Sequence, residues 1–267
     1  MDAEDTRFTA EMLVAYAARE RGIAVGQIGV APVVVMSWFP AVIRSLAERT
    51  AATRSEHWIY GERHALYSGE IEGQPISFAH APVGAPGTIT MMEELEELVA
   101  CGARVFWGLG LAGGLQDQTV LGRCIIPTAG IAEEGTSRHY LDADTVIAPA
   151  QRLVAIAEEV CELEGIDVLS GPVWTTDAPY RETVSKIQEY CRQGALGVDM
   201  ETSAMYAFGQ AKGVEVCNLL VVSDELLREW RPGFLAAVVS EALNRLERVV
   251  LRCAAAAATS KGFDPHG

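Results

Sequence analysis

The run "IGVAPVVVMSWF" at residues 28–39 is apolar at consecutive positions rather than at alternate ones. A strand built from it hides both faces, and a sheet buried on both sides needs helices packed against each of them. Pro40 follows at once and opens "PAVIRSLAER", where a proline suits the first turn of a helix. This strand-to-helix unit sets the pattern for the rest of the chain.

"ARVFWGLG", "RCIIPTAGIAE", "DVLSGPVWTTD", "ALGVDM" and "VEVCNLLVVSD" read as strands. Helices are expected near 149–164, 181–193, 202–212 and about 232–257, and a first helix over 8–21, where Phe8, Met12, Ala15 and Tyr16 recur at helical spacing. "HALYSGEIEGQPISFAHAP" reads as a hairpin turning at Glu72-Gly73. "VGAPG" then leads into "TITMMEELEELVACG", with Met91, Leu95 and Leu98 on one face and Thr88 or Thr90 as the cap. Strands alternating with helices predict an α/β fold: a single domain over 1–267, in three α/β/α layers around a mixed, largely parallel sheet. The core is expected over about 30–250, and the alanine-rich end from about 258 to 267 as a loose tail.

Composition narrows the function. Acids outnumber bases 36 to 21 in 267 residues, for a formal charge of −15, so clustered cations for nucleic acid are not expected. The N-terminus lacks the basic and apolar regions of a secretory signal, and no uncharged apolar run reaches 18 residues, so no membrane span is expected. Cys101, Cys124, Cys161, Cys191, Cys217 and Cys253 are scattered, without metal-ligand spacing, which fits a reducing cytoplasm and no bound metal. A small-molecule substrate is favoured.

In parallel sheets ligands collect where strands end. Two acids sit at such ends. Glu201 follows "ALGVDM" and precedes a helix, and Asp224 closes "VEVCNLLVVSD". Each reads equally as a capping acid at a helix start.

Taken with the order of segments, "VDMETSAMY" and "VVSDELLREW" resemble elements of the nucleoside phosphorylase family of the uridine and hexameric purine type, over roughly residues 30 to 250. The resemblance implies cleavage of a nucleoside's N-glycosidic bond, by phosphorolysis to free base and pentose 1-phosphate. It puts Met200 and Glu201 under the ribose, where a carboxylate accepts both hydroxyls and faces the developing positive charge. It makes Asp224 the acid that protonates the leaving base, with Arg228 positioning it, and such an acid must hold a proton near neutrality. "VWTTDAPYRET" resembles the base-side segment, so Asp177 and Tyr180 are candidates for the heterocycle. "GLGLAGGLQ" resembles the central glycine loop, which brings in Gly113, and Thr88 lies in the adjoining segment. No cofactor is implied beyond orthophosphate as co-substrate. The family assembles as dimers or trimers of dimers in which a neighbour completes the site, so a homo-oligomer is expected.

The sequence departs from the family at one ligand. Where the family has a "GDPGR"-like phosphate loop this chain reads "MSWFPAVIR", and Gly108 stands at the place of a second arginine. Each charge-assisted bond to phosphate is worth about 1.5–3 kcal/mol, so losing both weakens phosphate binding roughly a hundredfold to ten-thousandfold. Arg63 and Thr90, with Arg44 nearby, are the remaining phosphate candidates, whereas Trp38, Phe39 and Leu111 make the place apolar. A phosphate-independent nucleosidase or a specialised glycosyl transferase is therefore the alternative, with Glu133 or Glu134 as candidate bases for water. A non-catalytic ligand-binding relative is the third reading. His139, in "EEGTSRHYL", reads as a surface or hydrogen-bonded histidine. The G-x-G-x-x-G run at 108–113 is not a dinucleotide motif, because a strand rather than a helix follows it.

Overall fold

The computed structural model describes residues 6–61, 63–98 and 103–259; Cys101 and residues 260–267 of the expected tail lie outside them. In chain order the elements are α1 (Ala10–Glu20), β1 (Val33–Ser37), α2 (Pro40–Arg49), β2 (Thr53–Arg54), β3 (Leu66–Ile71), β4 (Gln74–His80), α3 (Ala85–Glu97) and β5 (Val105–Gly114). They continue with β6 (Cys124–Ala132), α4 (Gln151–Leu163), β7 (Val168–Thr175), α5 (Val184–Arg192), β8 (Gly197–Asp199), α6 (Thr202–Lys212), β9 (Glu215–Glu225), β10 (Arg231–Pro232) and α7 (Ala237–Thr259).

One mixed sheet runs β10-β9-β6-β7-β8-β5-β1-β4-β3-β2, and β9 also pairs with β5. The pairings β5–β9, β9–β6, β6–β7, β7–β8 and β8–β5 therefore close five strands into a ring. β1 lies parallel between β4 and β5, with Val35 opposite Phe78 on one side and Trp107 on the other. All five residues of β1 are buried. Val33 and Val35 face α2, α4 and α7 in one apolar layer, while Val34 and Met36 face α1, α3 and α6 in the other. Each fully buried side chain of this size contributes about 1.5–3 kcal/mol, which is why the consecutive apolar run settles in the middle of three layers.

Several local expectations change. The first helix packs through Val14 and Ala18, while Phe8, Met12 and Tyr16 are exposed. α3 begins before both threonines, so neither caps it. The chain enters α3 through Gly84 at φ 92, a left-handed value that suits glycine, and Pro86 occupies the first turn. The segment read as a glycine loop is instead the second half of β5. α5 starts at Val184, after a separate single turn at Pro179–Arg181. α7 starts at Ala237, because Pro232 still pairs with Asp224 across β10 and β9. The Glu72-Gly73 turn behaves as expected, with φ of 53 and 76.

Candidate active site

A cavity of about 650 Å³ opens where β1, β5, β8 and β9 end, a size suited to a small organic ligand. Trp38 and Phe39 enter from the end of β1, Leu111 and Gly113 from β5, Asp199 to Glu201 from the β8–α6 junction, and Asp224 from β9. The wall is mainly apolar, with Val83, Leu226, Trp230 and Phe234 among it. Four carboxylates face it, those of Glu182, Asp199, Glu201 and Asp224, and none of the described lining residues is a lysine, arginine or histidine.

Glu201 is 6% exposed and stands at the N-cap position of α6, yet its side chain does not cap that helix. Its Oε1 instead accepts the backbone N–H of Gly84 at 2.6 Å. The capping is done by Asp199, whose Oδ2 accepts from the backbone N–H of Thr202 at 3.1 Å and from the Thr202 hydroxyl. Asp199 Oδ1 takes the Thr175 hydroxyl at 2.7 Å, and Asn218 Nδ2 donates to Thr202 Oγ1 at 2.8 Å. The chain of bonds fixes the turn that presents Glu201. Burial raises the proton affinity of both acids, and the charge of Asp199 pushes Glu201 up further, against the pull of the Gly84 N–H. Asp199, with three donors facing it, is the better holder of the negative charge.

Asp224 lies within β9 and caps no helix. Ser223 Oγ donates to its Oδ1 at 2.9 Å and Trp230 Nε1 to its Oδ2 at 3.0 Å. Burial raises its proton affinity, and these two donors oppose the rise. Glu182, just beyond the single turn at Pro179–Arg181, is pushed up to about 7 by burial first and then by the charges of Asp224 and Glu133, with Lys186 opposing.

Among the expected site residues the structure gathers Met200, Glu201, Asp224, Tyr180 and Gly113 around the cavity. Tyr180 stands at its mouth, fully exposed. The others do not join them. Arg228 is exposed and donates to Asp117 at 3.0 Å. Asp177 accepts the Gly135 N–H at 2.9 Å, and the Thr90 hydroxyl is spent on the Pro86 carbonyl at 2.8 Å. Arg63 is exposed on the turn before β3 and is not among the lining residues.

Thr88 is fully buried under Trp38. Its hydroxyl accepts from Trp38 Nε1 at 2.8 Å and donates to the Pro82 carbonyl at 2.9 Å. The indole lies flush against β5, where a Cβ on Gly110 would sit 2.6 Å from Trp38 Cζ3. Gly108 is held bare in the same way, since a Cβ there would come within 2.0 Å of Asn218 Oδ1.

The candidate water bases are structural. Glu134 is buried and accepts from the Ser137 N–H at 3.0 Å, the Ser203 hydroxyl at 2.9 Å and the Ser137 hydroxyl, while Glu133 pairs with Lys186 and takes Trp174 Nε1 at 3.1 Å. His139 is exposed. Among the described residues no group of three or more His, Cys, Asp or Glu side chains is disposed to hold a metal ion.

Glu182 and Asp199 were not singled out from sequence. Asp199 carried one general signal, a short acidic side chain just before a helix start, where such side chains accept free backbone N–H groups. Glu182 carried none, since only the tertiary fold brings its loop over the end of β9.

The model of the phosphorylase superfamily matches residues 32–255. The chain is 28% identical over 171 residues to a purine nucleoside phosphorylase of the DeoD type from Alkaliphilus metalliredigens, covering 63% of this chain and 72% of that one. It is 24% identical over 177 residues to a guanosine phosphorylase from Halorubrum lacusprofundi, covering 65% and 70%. With a uridine phosphorylase from Treponema pallidum it shares 25% over 181 residues, covering 63% and 69%. The crystal structure of a purine nucleoside phosphorylase from Toxoplasma gondii in complex with immucillin-H superposes with a TM-score of 0.77 over 87% of this chain and 93% of that one, at 22% identity.

Proposed function

The chain belongs to the phosphorylase superfamily, and on that footing we propose that it is a pentosyltransferase that cleaves the N-glycosidic bond of a nucleoside, passing the pentosyl group to orthophosphate. The observation that carries the reading is that Glu201 and Asp224, 23 positions apart in sequence, line one cavity of nucleoside size. Glu201 accepts the ribose hydroxyls beside Met200. The negative charge that Asp199 and Glu201 share offsets the positive charge that grows on the sugar as the bond to the base lengthens. Asp224 serves the base side and passes a proton to the departing ring nitrogen, with Tyr180 at the mouth and Gly113 beneath the ligand. Leu226 and Trp230 exclude water from that side. The same reading takes the chain as one domain that forms a homo-oligomer, a dimer or trimer of dimers, in the cytoplasm.

A second reading rests on Trp38. Its indole fills the end of β1 against Gly110 and uses up the Thr88 hydroxyl, and the described lining offers no cation. A dianion entering an apolar pocket with four carboxylates gains little and is repelled. That observation favours water as the acceptor, which makes the protein a nucleosidase. One experiment separates the two: purine and pyrimidine nucleosides are incubated with and without orthophosphate, and free base and sugar 1-phosphate are measured. Base released only with phosphate supports transfer to phosphate, and base released equally without it supports hydrolysis. No base from any nucleoside removes both.

A further inference from the structure

The four acids of the cavity differ in what already holds them. Asp199 has three donors, Glu201 has the Gly84 N–H, and Asp224 has Ser223 on one oxygen and Trp230 on the other. The carboxylate of Glu182 accepts no hydrogen bond among the described residues and is set by burial and by the charges of Asp224, Glu133 and Lys186. It lies on the wall formed by the loop after β7, while Asp224 projects from β9 into the same space.

Two carboxylates close enough to feel each other do not both ionise readily, and the proton goes to the one whose anion is less well served. Two hydrogen bonds serve the anion of Asp224. Among the described residues none serves that of Glu182. We infer that Glu182 is the proton store of the base-side acid: it holds, at neutral pH, the proton that Asp224 hands to the leaving base. The inference rests on the glycosidic-cleavage reading and assigns a positioning residue within it.

The step balances. The O–H bond of Glu182 breaks and its proton passes to Asp224, then to a ring nitrogen of the base, while the electron pair of the glycosidic bond stays with the base. The acceptor, phosphate or water, loses a proton as its oxygen bonds to the sugar, and that proton restores the acid form of the pair. No proton is consumed overall.

The charged groups facing Glu182 come from three elements: Asp224 on β9, Glu133 at the end of β6 and Lys186 on α5. Lys186 is paired to Glu133, so it offsets that charge more than it draws off the proton of Glu182. Burial and the charge of Asp224 act in one direction, and they hold Glu182 at about 7, where a proton donor for neutral conditions needs to be.

The test compares wild-type protein with Glu182→Gln and Glu182→Asp across pH 5 to 9 on the best nucleoside. In Glu182→Gln the pair has lost its higher-affinity site, so Asp224 must keep the proton alone. The deficit in kcat should widen with pH, reaching at least about tenfold at pH 7.5, with the descending limb moved to lower pH and KM changed less than kcat. Glu182→Asp should recover most of the loss. A deficit that is the same at every pH, or none, overturns the assignment.

A second measurement does not need turnover. Carbon-13 labelling of glutamate carboxyls should show Glu182 titrating near neutrality, and at lower pH in Asp224→Asn, where the neighbouring charge is gone. A Glu182 that titrates like an exposed glutamate overturns the store. A wild-type protein that releases no base from any nucleoside, with Glu182 still titrating near neutrality, removes the cleavage reading and with it the role in turnover.

Discussion

Oε1 of Glu201 accepts the backbone N–H of Gly84 at 2.6 Å, and this bond ties the entry to α6 to the entry to α3 across 117 positions of sequence. Half of the carboxylate is thereby oriented before any ligand arrives. Preorganisation of this kind lets a charge act on a transition state without reorganising at the moment of reaction.

Glu201→Ala should lower turnover at least about a hundredfold, as losses of an electrostatic group in a dry site do. The measurement is kcat/KM for base release from the preferred nucleoside. Activity within a few-fold of wild type would remove Glu201 from the sugar side.

Glu201→Gln should also reveal the cost of the charge. The folded protein raises the proton affinity of Glu201 above its unfolded value, so its contribution to stability is greatest at low pH. That contribution is lost as pH rises from the usual glutamate range toward the raised one. A neutral glutamine avoids the loss while its carbonyl still accepts the Gly84 N–H. The variant should therefore melt close to wild type at pH 5 and above it at pH 9, read as Tm at both values. A wild-type protein that gains on the variant as pH rises contradicts the assigned direction.

Asp224→Asn keeps the shape of the base side and removes the group proposed to pass the proton. Turnover should fall at least about a hundredfold on bases that leave poorly without protonation. An unchanged kcat would show that protonation comes from elsewhere.

Gly110→Ala should push the Trp38 indole from its seat, because the new methyl would come within 2.6 Å of Cζ3. The shift breaks or strains the bond from Nε1 to Thr88, worth about 1 kcal/mol, and moves the ring into the cavity. A lower Tm together with a raised KM is expected. A KM unaltered alongside a lower Tm would mean that the ring moves away from the ligand space.

Trp38→Phe separates the bond from the bulk. It leaves the Thr88 hydroxyl without its buried donor at a cost of about 1–3 kcal/mol. Thermal or urea unfolding measures that loss, and a variant as stable as wild type would show that the hydrogen bond is replaced.

The layers of the fold were readable because β1, β5 and β9 carry apolar residues on both faces, a pattern with one good solution. That Glu201 and Asp224 reach one cavity was readable because both end apolar runs at strand ends, where ligands of such sheets collect. Arg228 was not, since its place is decided by the exposed loop after β9, where pairing with Asp117 keeps it outward. Thr88 reads as a ligand contact from its place in the segment adjoining the glycine run, but its hydroxyl is taken up by Trp38 and the Pro82 carbonyl. Its fate depended on Trp38, 50 positions earlier, which sequence spacing does not reveal. Glu182 was invisible for the same reason: what distinguishes it is the company it lacks, and that is a property of three dimensions only.

The ring of β5, β9, β6, β7 and β8 gives each of its strands a partner on both sides. With a partner on each side, none of these strands is a full open edge, so the half of the sheet that carries the acids offers less template for aggregation. The terminal strands β2 and β10 are two residues each and offer intruders little to grip. The protein can thus keep unfavourable buried charge in its cleft on strands that have lost most of their capacity to seed a fibre.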